Sequence, residues 1–148
     1  MKLYLAKIDR SLRGGLLDPA IEEYRSRLTA YSEPELLCFK SPDAMTDWLA
    51  KQRQRQPVTL VLLDSRGKQL SSEGLAEWIG KRRDEGQRPI LFAIGPADGW
   101  TAAALAKAQQ TLSLGRITLP HELARVVLAE QLYRTFTILN NHPYHGGH

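Results

Sequence analysis

Two short apolar stretches do most to limit what this chain can fold into. Residues 58–63 (Val-Thr-Leu-Val-Leu-Leu) are apolar at all but one position, and residues 89–94 (Pro-Ile-Leu-Phe-Ala-Ile) are apolar throughout. Strands without alternating polar residues are typical of parallel sheets that are covered on both faces. Between the two stretches, Ser71 or Ser72 is a suitable N-cap for a helix that ends near Gly86. The pattern therefore predicts an α/β fold, with a mostly parallel sheet and helices on both faces.

The rest of the chain continues this alternation of strands and helices. Further strands are predicted at residues 2–8, 36–39 and 111–114. N-cap signals for three further helices stand at Asp18, Ser41 and Thr101. The chain contains no internal repeat, low-complexity tract or linker. We therefore expect one domain that comprises all 148 residues.

The last predicted helix, residues 121–140, is apolar on more than one side. At 100° per residue its apolar positions cover well over half of the circumference, which is too much for a helix with one solvated face. These positions are Leu123, Val126, Val127, Leu128, Leu132, Tyr133, Phe136, Ile138 and Leu139. In a small domain, another subunit is the most economical cover for the second side. We therefore expect a homodimer.

The distribution of charge leaves two explanations open. The net charge of +4 permits a polyanionic partner but does not require one. Basic residues are concentrated in two groups, which are Lys51, Arg53 and Arg55, and then Lys81, Arg82, Arg83 and Arg88. The groups could bind nucleic acid, or they could be solvated helix ends at which cations complement the helix dipole.

Cysteine content and hydrophobicity bear on where the chain works. Cys38 is the only cysteine, so no intrachain disulfide can form, and we expect a cytoplasmic protein. Because Cys38 lies in an apolar run, we expect a buried structural thiol rather than a nucleophile. No stretch approaches the roughly 18 apolar residues of a membrane span, and the N-terminus lacks a signal-peptide pattern. We therefore expect no membrane partner.

Loops that contain glycine and proline follow three of the predicted strands, at residues 63–67, 94–99 and 115–120. Parallel α/β sheets bind ligands in the loops beyond the carboxyl ends of their strands. Glycine and proline permit the tight turns and the close backbone approach that a ligand needs. Each loop on its own could be a simple turn. Because all three lie at one edge of the sheet, two interpretations are about equally well supported: a shared ligand site, or three simple turns.

Other types of site have little support. The chain lacks the P-loop pattern, the Gly-x-Gly-x-x-Gly fingerprint of dinucleotide-binding folds and the Gly-x-Ser-x-Gly elbow of hydrolases. His142, His145 and His148 are evenly spaced, but no cysteine or acidic residue lies close to them in the sequence. We therefore expect no metal site.

Three segments near the end of the chain carry a specific resemblance. They are residues 117–125 (Ile-Thr-Leu-Pro-His-Glu-Leu-Ala-Arg), 130–134 (Glu-Gln-Leu-Tyr-Arg) and 141–145 (Asn-His-Pro-Tyr-His), with support from residues 23–24, 63–68 and 94–95. With these segments the chain resembles the bacterial ribosomal RNA large subunit methyltransferase H family. The resemblance implies a SPOUT-type fold with a C-terminal trefoil knot, and a homodimer formed through the knotted region.

The resemblance also implies an activity and a cofactor pocket. The implied reaction transfers a methyl group from S-adenosylmethionine to ring N3 of a pseudouridine in a large-subunit (23S) rRNA stem-loop, with the assembled ribosome as substrate. The implied cofactor-binding residues are Leu63, Ile94, Gly95, Pro96, Gly115, Arg116, Ile117, Thr118, Leu119 and Pro120. His121, at the start of the last helix, is expected to shape the pocket or to have a structural role.

The implied chemistry suggests which side chains could take part in catalysis. Pseudouridine N3 carries a weakly acidic imide proton, so a nearby base or an anion-stabilising cation would help methyl transfer. His142, Tyr144 and His145 are the candidates for this role.

Two departures from the family pattern keep alternatives open. Pro96 stands where the family usually has the second glycine of an Ile-Gly-Gly turn, so a backbone donor is lost there. Residues 146–148 (Gly-Gly-His) stand where the family commonly continues with arginine. The alternatives are a catalytically inactive RNA- or ribosome-binding dimer of the same fold, and a small-molecule methyltransferase.

Overall fold

The computed structural model describes residues 1–11 and 14–147. Strands and helices alternate along the chain, as the sequence predicts. The elements are β1 (Lys2–Ile8), α1 (Asp18–Leu28), β2 (Glu33–Phe39), α2 (Pro42–Arg53), β3 (Thr59–Gln69), α3 (Ser72–Asp84), β4 (Ile90–Ile94), α4 (Ala102–Lys107), β5 (Gln110–Ser113), α5 (His121–Leu139) and a short 3₁₀ helix (His145–Gly147).

The five strands form one sheet in the order β2-β1-β4-β3-β5, and each of its four pairings is parallel. The apolar stretches chosen from the sequence become β4, at the centre of the sheet, and its neighbour β3. Thr59 pairs with Ile90 and Leu63 pairs with Ile94, so the two strands start side by side and β4 ends beside Leu63. This arrangement confirms the predicted parallel α/β fold and brings the irregular segment after Leu63 and the loop after β4 to the same edge.

Helices cover both faces of the sheet, which confirms the second part of the prediction. On one face α1, α3 and α5 pack with side chains such as Ile21, Ile79 and Phe136 in the core. On the other face α2 and α4 pack through Met45 and Ala104, among others. No helix in the described part of the chain is long and apolar enough to cross a lipid bilayer.

Helix α5 lies between α1 and α3. Leu128, Leu132 and Phe136 are buried inside the chain, so these two helices and the sheet cover much of its apolar surface. Leu123, on its first turn, is 41% exposed, and Val126, Val127, Tyr133, Ile138 and Leu139 are half-buried. The homodimer expected from α5 therefore stays a prediction. The C-terminal knot also stays a prediction.

Three predicted N-caps are confirmed and one is wrong. The hydroxyls of Ser41, Ser71 and Thr101 each accept a hydrogen bond from the backbone N–H three residues later, at 3.1, 2.9 and 3.1 Å. Asp18 is instead the first residue of α1, and Leu17 holds the cap position without a side-chain hydrogen bond. The Asp18 carboxylate turns away because it accepts from the Gly15 N–H at 2.9 Å and from Arg125 at 3.0 Å.

Strand β3 is longer than predicted. It pairs with β5 up to Leu63, is interrupted by an irregular stretch, and resumes the pairing from Lys68 to Gln69. The polar and glycine-containing sequence after Leu63 predicted only a loop. Backbone pairing with β5, which needs no apolar side chains, extends the strand there.

Candidate active site

A cavity of about 610 Å³ opens beside the carboxyl ends of β4 and β5 and next to Leu63 of β3. Its walls come from the three loops that the sequence patterns singled out. The volume lies within the range of roughly 300–1,000 Å³ that is usual for small-molecule sites. The cavity is therefore large enough for a nucleoside-sized ligand.

The structure gathers the residues proposed for a cofactor pocket around this cavity, with one exception. Those that line it are Leu63, Ile94, Gly95, Pro96, Gly115, Ile117, Thr118, Leu119 and Pro120. Arg116 belongs to the same loop but does not line the cavity. His121 lines it as well, at the first turn of α5.

Trp100 lines the cavity and joins two of its loops, although the sequence patterns did not single it out. Its indole Nε1 donates to the Leu63 carbonyl oxygen at 2.9 Å. A Cβ atom at Gly95 would lie only 2.7 Å from Cε2 of the same ring, so the ring packs where only glycine fits. The signal in the sequence was a large aromatic residue directly after a glycine-rich loop.

Pro96 closes the loop after β4 through its carbonyl group. The carbonyl accepts from the Gly99 N–H at 2.9 Å, which makes a four-residue turn. The missing donor at Pro96 therefore does not prevent a defined loop. What the loop lacks is one N–H that could otherwise face a ligand.

The loop after β5 turns at Gly115, whose φ of +122° is in a region that favours glycine. The buried Ser113 hydroxyl fixes this turn, because it accepts from the Gly115 N–H at 3.1 Å and donates to the Gly115 carbonyl at 2.9 Å. A Cβ atom at Gly115 would have no neighbour within 4 Å. The backbone is therefore open to close approach at this point.

The C-terminal tail, residues 141–147, folds back along α5. The Tyr144 hydroxyl donates to Glu130 Oε1 at 2.9 Å, and the Tyr144 ring meets Tyr133 edge-on at 4.9 Å between centroids. The Arg134 guanidinium lies 4.9 Å from the centre of the Tyr144 ring and contacts Glu130 Oε1 at 2.7 Å. Burial and the hydrogen bond to Glu130 raise the pKa of Tyr144 to about 12. In this position Tyr144 is a proton donor and is not a base at neutral pH.

His145 is also engaged in the folded-back tail. Its Nδ1 lies 3.0 Å from Nη1 of Arg134, and its Nε2 lies 2.6 Å from Oε1 of Glu73. Because a guanidinium only donates, Nδ1 must accept the hydrogen bond from Arg134. Nε2 must therefore be protonated and donate a hydrogen bond to Glu73. The hydrogen bond from His145 lowers the pKa of Glu73. His142 is exposed, and its Nδ1 accepts from the Tyr144 N–H at 3.1 Å.

The comparison with known families identifies the chain. The family model described as "Predicted SPOUT methyltransferase" matches residues 1–145. The chain belongs to the SPOUT methyltransferase family.

Two relatives are similar to this chain over most of their lengths. A protein of Koribacter versatilis is 53% identical over 126 residues, which are 85% of this chain and 86% of the relative. A protein of Geobacter sp. is 39% identical over 133 residues, 84% of this chain and 86% of the relative. Both bear the name "Ribosomal RNA large subunit methyltransferase H".

Solved structures show the same fold at low sequence identity. The SpoU methyltransferase AviRb from Streptomyces viridochromogenes, in complex with the cofactor AdoMet, matches with a TM-score of 0.51 at 15% identity. That match covers 90% of this chain and 57% of the AviRb chain. A probable methylase family protein from Haemophilus influenzae matches with a TM-score of 0.58 at 12% identity, over 96% of this chain and 69% of the other.

In this SPOUT methyltransferase the two groups of predicted site residues do not meet within one chain. None of His142, Tyr144 and His145 lines the cavity. The tail contacts α5 at Glu130, nine residues after His121, which corresponds to about 13 Å along the helix axis. The structure instead brings Tyr144 and His145 together with Glu130 and Arg134, a pair that the i,i+4 spacing in the sequence could have indicated.

A charged cluster beside the cavity was also missed. Lys7, on β1, is 8% exposed and lies 3.7 Å from Asp9 and 3.9 Å from Glu122. Arg125 lies 3.2 Å from Glu122 and 3.0 Å from Asp18. The cluster thus joins the end of β1, the start of α1 and the start of α5. The signal was a lysine at an inward-facing strand position.

The described residues contain no group of three or more histidine, cysteine, aspartate or glutamate side chains that could hold a metal ion. His148, which was considered with His142 and His145, lies outside the described residues.

The environment of Cys38 bears on whether its thiol could act as a nucleophile. Its thiol is partly buried, and burial raises its pKa, so the reactive thiolate is disfavoured.

Proposed function

We propose that this SPOUT methyltransferase binds S-adenosylmethionine in the cavity and methylates large-subunit (23S) rRNA at ring N3 of a pseudouridine in a stem-loop. We further propose that its substrate is the assembled ribosome, in the cytoplasm. The observation that carries the proposal is the convergence of three loops on one cavity in a fold of this family. The names of the relatives support rRNA as the substrate.

The residues around the cavity suit this cofactor. Apolar side chains of Leu63, Ile94 and Leu119 can cover an adenosine, and the glycine turns at 95 and 115 let the backbone approach a ligand closely. When bound, S-adenosylmethionine supplies a methyl group on a positively charged sulfur, which an in-line nucleophile can accept. The role of the chain is to hold that sulfur in place and to exclude water around it.

The tail, together with Arg134 of α5, supplies groups that suit the target base. Tyr144 and the Arg134 guanidinium could stack on or donate to an unstacked base, and a cation stabilises the anion that remains when N3 loses its proton. His145 could accept that proton once its Nδ1 is released from Arg134. Each of these groups is more than a helical turn from the cavity of its own chain.

We therefore propose a homodimer in which the tail of one chain serves the cavity of its partner. Large exposed apolar side chains of the described residues support a dimer surface near the cavity. They are Leu16 at 91%, Ile117 at 81% and Leu123 at 41% exposure. Leu123 stands on the first turn of α5, Ile117 stands in the loop that leads to it, and Gly15, next to Leu16, abuts Glu122. A second copy would cover these apolar groups.

Two measurements test the proposed function. Calorimetry should detect S-adenosylmethionine binding, and tritium should pass from labelled cofactor to ribosomes that lack the modification. No binding at millimolar cofactor would instead favour the catalytically inactive ribosome-binding dimer. Cofactor binding with transfer to a free metabolite, and none to ribosomes, would favour the small-molecule enzyme. A stable folded monomer in light scattering would contradict the dimer.

A further inference from the structure

Two basic regions that are separate in the sequence become neighbours at the amino-terminal edge of the sheet, opposite the cavity. Helix α2 ends at Arg53 and leads into β3, and α3 ends at Asp84 and leads into β4. The two turns are joined, because the Thr59 N–H donates to the Pro89 carbonyl at 2.8 Å. The turn after α2 therefore lies beside the turn that carries Arg88.

Five exposed cations lie at the ends of helices or in turns along this edge. They are Lys51, Arg53 and Arg55 at the end of α2, Arg88 before β4, and Lys107 at the end of α4, and we call them the cationic edge. None of the five forms an ion pair within 4.0 Å with a described residue. Helix α4 joins the edge through Gln109, whose N–H donates to the Leu60 carbonyl at 2.9 Å.

The basic residues of α3 differ from these five, because they form ion pairs. Lys81 pairs with Glu77, Arg82 with Glu85 and Arg83 with Asp84, each at 3.5 Å. Their charges are compensated within the chain. The end of α2 and the turn after it lack such compensation, because no carboxylate occurs between Asp47 and Asp64 and Asp47 forms no ion pair within 4.0 Å with Lys51. The cationic edge thus has an excess of positive charge that its own residues do not neutralise.

The surroundings of the cationic edge favour an RNA backbone over a protein. Exposed Gln54, Gln56 and Gln87 alternate with or adjoin the cations and add amide donors for phosphate and sugar oxygens. A stable protein interface usually has an apolar centre. The large exposed apolar residues of the described chain, Leu16, Ile117 and Leu123, belong to the loops and helix start at the cavity edge instead.

We infer that the cationic edge binds phosphates of a folded RNA at a point remote from the methylated base. This inference rests on the proposed function, which supplies RNA as the partner. The edge and the cavity are separated by the five residues of β4, which is about 16 Å at roughly 3.3 Å per residue. A single nucleotide in the cavity cannot reach the edge. The partner must extend around the domain, as rRNA in a ribosome does.

The test compares two triple variants, Arg53→Gln with Arg55→Gln and Arg88→Gln, and the same three positions changed to lysine. Binding to ribosomes that lack the modification is measured by sedimentation at several salt concentrations. Each lost phosphate contact should reduce the slope of log K against log salt by about 0.7 to 0.9, so the glutamine variant should lose about two to three. The lysine variant should keep a slope near that of the wild type, because it keeps the charge.

Calorimetry with S-adenosylmethionine is the control for folding, since neither triple variant touches the cavity. An unchanged salt slope in the glutamine variant would overturn the inference. It would also be overturned if binding weakened for ribosomes but not for protein-free 23S rRNA, because an acidic ribosomal protein would then occupy the edge. Methyl transfer by the wild type separates the two proposals. If the wild type methylates no ribosomes, the proposed function is refuted. If the wild type is active but the glutamine variant has the same salt slope, only the inference about the cationic edge is refuted.

Discussion

At the scale of single residues, Trp100 connects the loops that form the cavity. Its N–H occupies the Leu63 carbonyl, and its ring fills the space that a side chain at position 95 would need. Trp100→Phe keeps most of the ring but leaves that carbonyl without its donor. We expect a loss of about 1 to 2 kcal/mol in the free energy of unfolding and a weaker cofactor affinity.

Urea denaturation and calorimetry with S-adenosylmethionine measure the two effects of Trp100→Phe. Trp48→Phe is the matched control, because Trp48 packs against Tyr4 and Phe39 and does not line the cavity. The control should leave cofactor affinity unchanged. If both variants bind the cofactor as the wild type does, Trp100 does not position the cavity loops.

Tyr144 makes the stability of the tail dependent on pH. Its pKa is raised to about 12 from the ordinary value of 10.0, so the protonated phenol is favoured in the folded state. Its stabilising contribution is present below about pH 10 and is lost as the pH rises towards about 12. We expect Tyr144→Phe to remove this part of the pH dependence. Urea denaturation between about pH 9 and about pH 12 measures it, and parallel curves for wild type and variant would contradict the assignment.

At the scale of elements, the sequence predicted what depends on local pattern. The two apolar stretches identified β3 and β4, and serine and threonine before helical segments identified three caps, because both signals act between residues close in the chain. The prediction of Asp18 as a cap is wrong, because its carboxylate binds Gly15 and also Arg125, which is more than a hundred residues away in the sequence. The extension of β3 was missed for the same reason, since β5 provides its pairing.

Arg125 is expected to hold the first turn of α5 in place. Burial alone would raise the pKa of Asp18, but the hydrogen bonds from Gly15 and Arg125 outweigh it and lower that pKa. Arg125→Met would leave Asp18 and Glu122 without this cation. We expect it to cost about 2 kcal/mol, less than a fully buried pair, because the Asp18 and Glu122 side chains keep 44% and 31% of their exposure.

The matched control for Arg125→Met is Arg27→Met. Arg27 pairs with Glu23 on the surface of α1, where the two side chains are 43% and 59% exposed. It should cost less than about 1 kcal/mol. Urea denaturation gives both values, and calorimetry shows whether only Arg125→Met also weakens cofactor binding. Equal losses in the two variants would mean that the cluster at the start of α5 is no more than a surface ion pair.

At the scale of the whole molecule, the sequence indicated the parts of the site but not their separation. The loops at residues 94–99 and 115–120 could be assigned to one edge of the sheet, because parallel topology fixes that edge. The position of the tail could not be predicted, because it depends on Glu130, Arg134 and Glu73 acting together. No local sequence pattern predicts the contact between Tyr144 and Glu130, which holds Tyr144 outside the cavity.

Because the tail and the cavity of one chain are separated, we expect them to have distinct roles in methyl transfer. Deleting everything after Asn140 should leave cofactor binding nearly unchanged, since no tail residue lines the cavity, but should abolish methyl transfer to ribosomes. Gly95→Val should block the cavity of its own chain, because the added Cβ would lie 2.7 Å from the Trp100 ring. Each variant alone is then inactive, for different reasons.

Mixing the two inactive variants distinguishes a tail that serves its own chain from one that serves its partner. If the tail acts on the partner, a mixed dimer pairs the intact cavity of the truncated chain with the intact tail of the Gly95→Val chain. Random exchange makes half of the dimers mixed, each with one complete site, so about a quarter of wild-type activity should return. If the tail acts within its own chain, no mixed dimer contains a complete site. Mixed dimers that form, as mass spectrometry can establish, and yet transfer no tritium to ribosomes would refute the shared site.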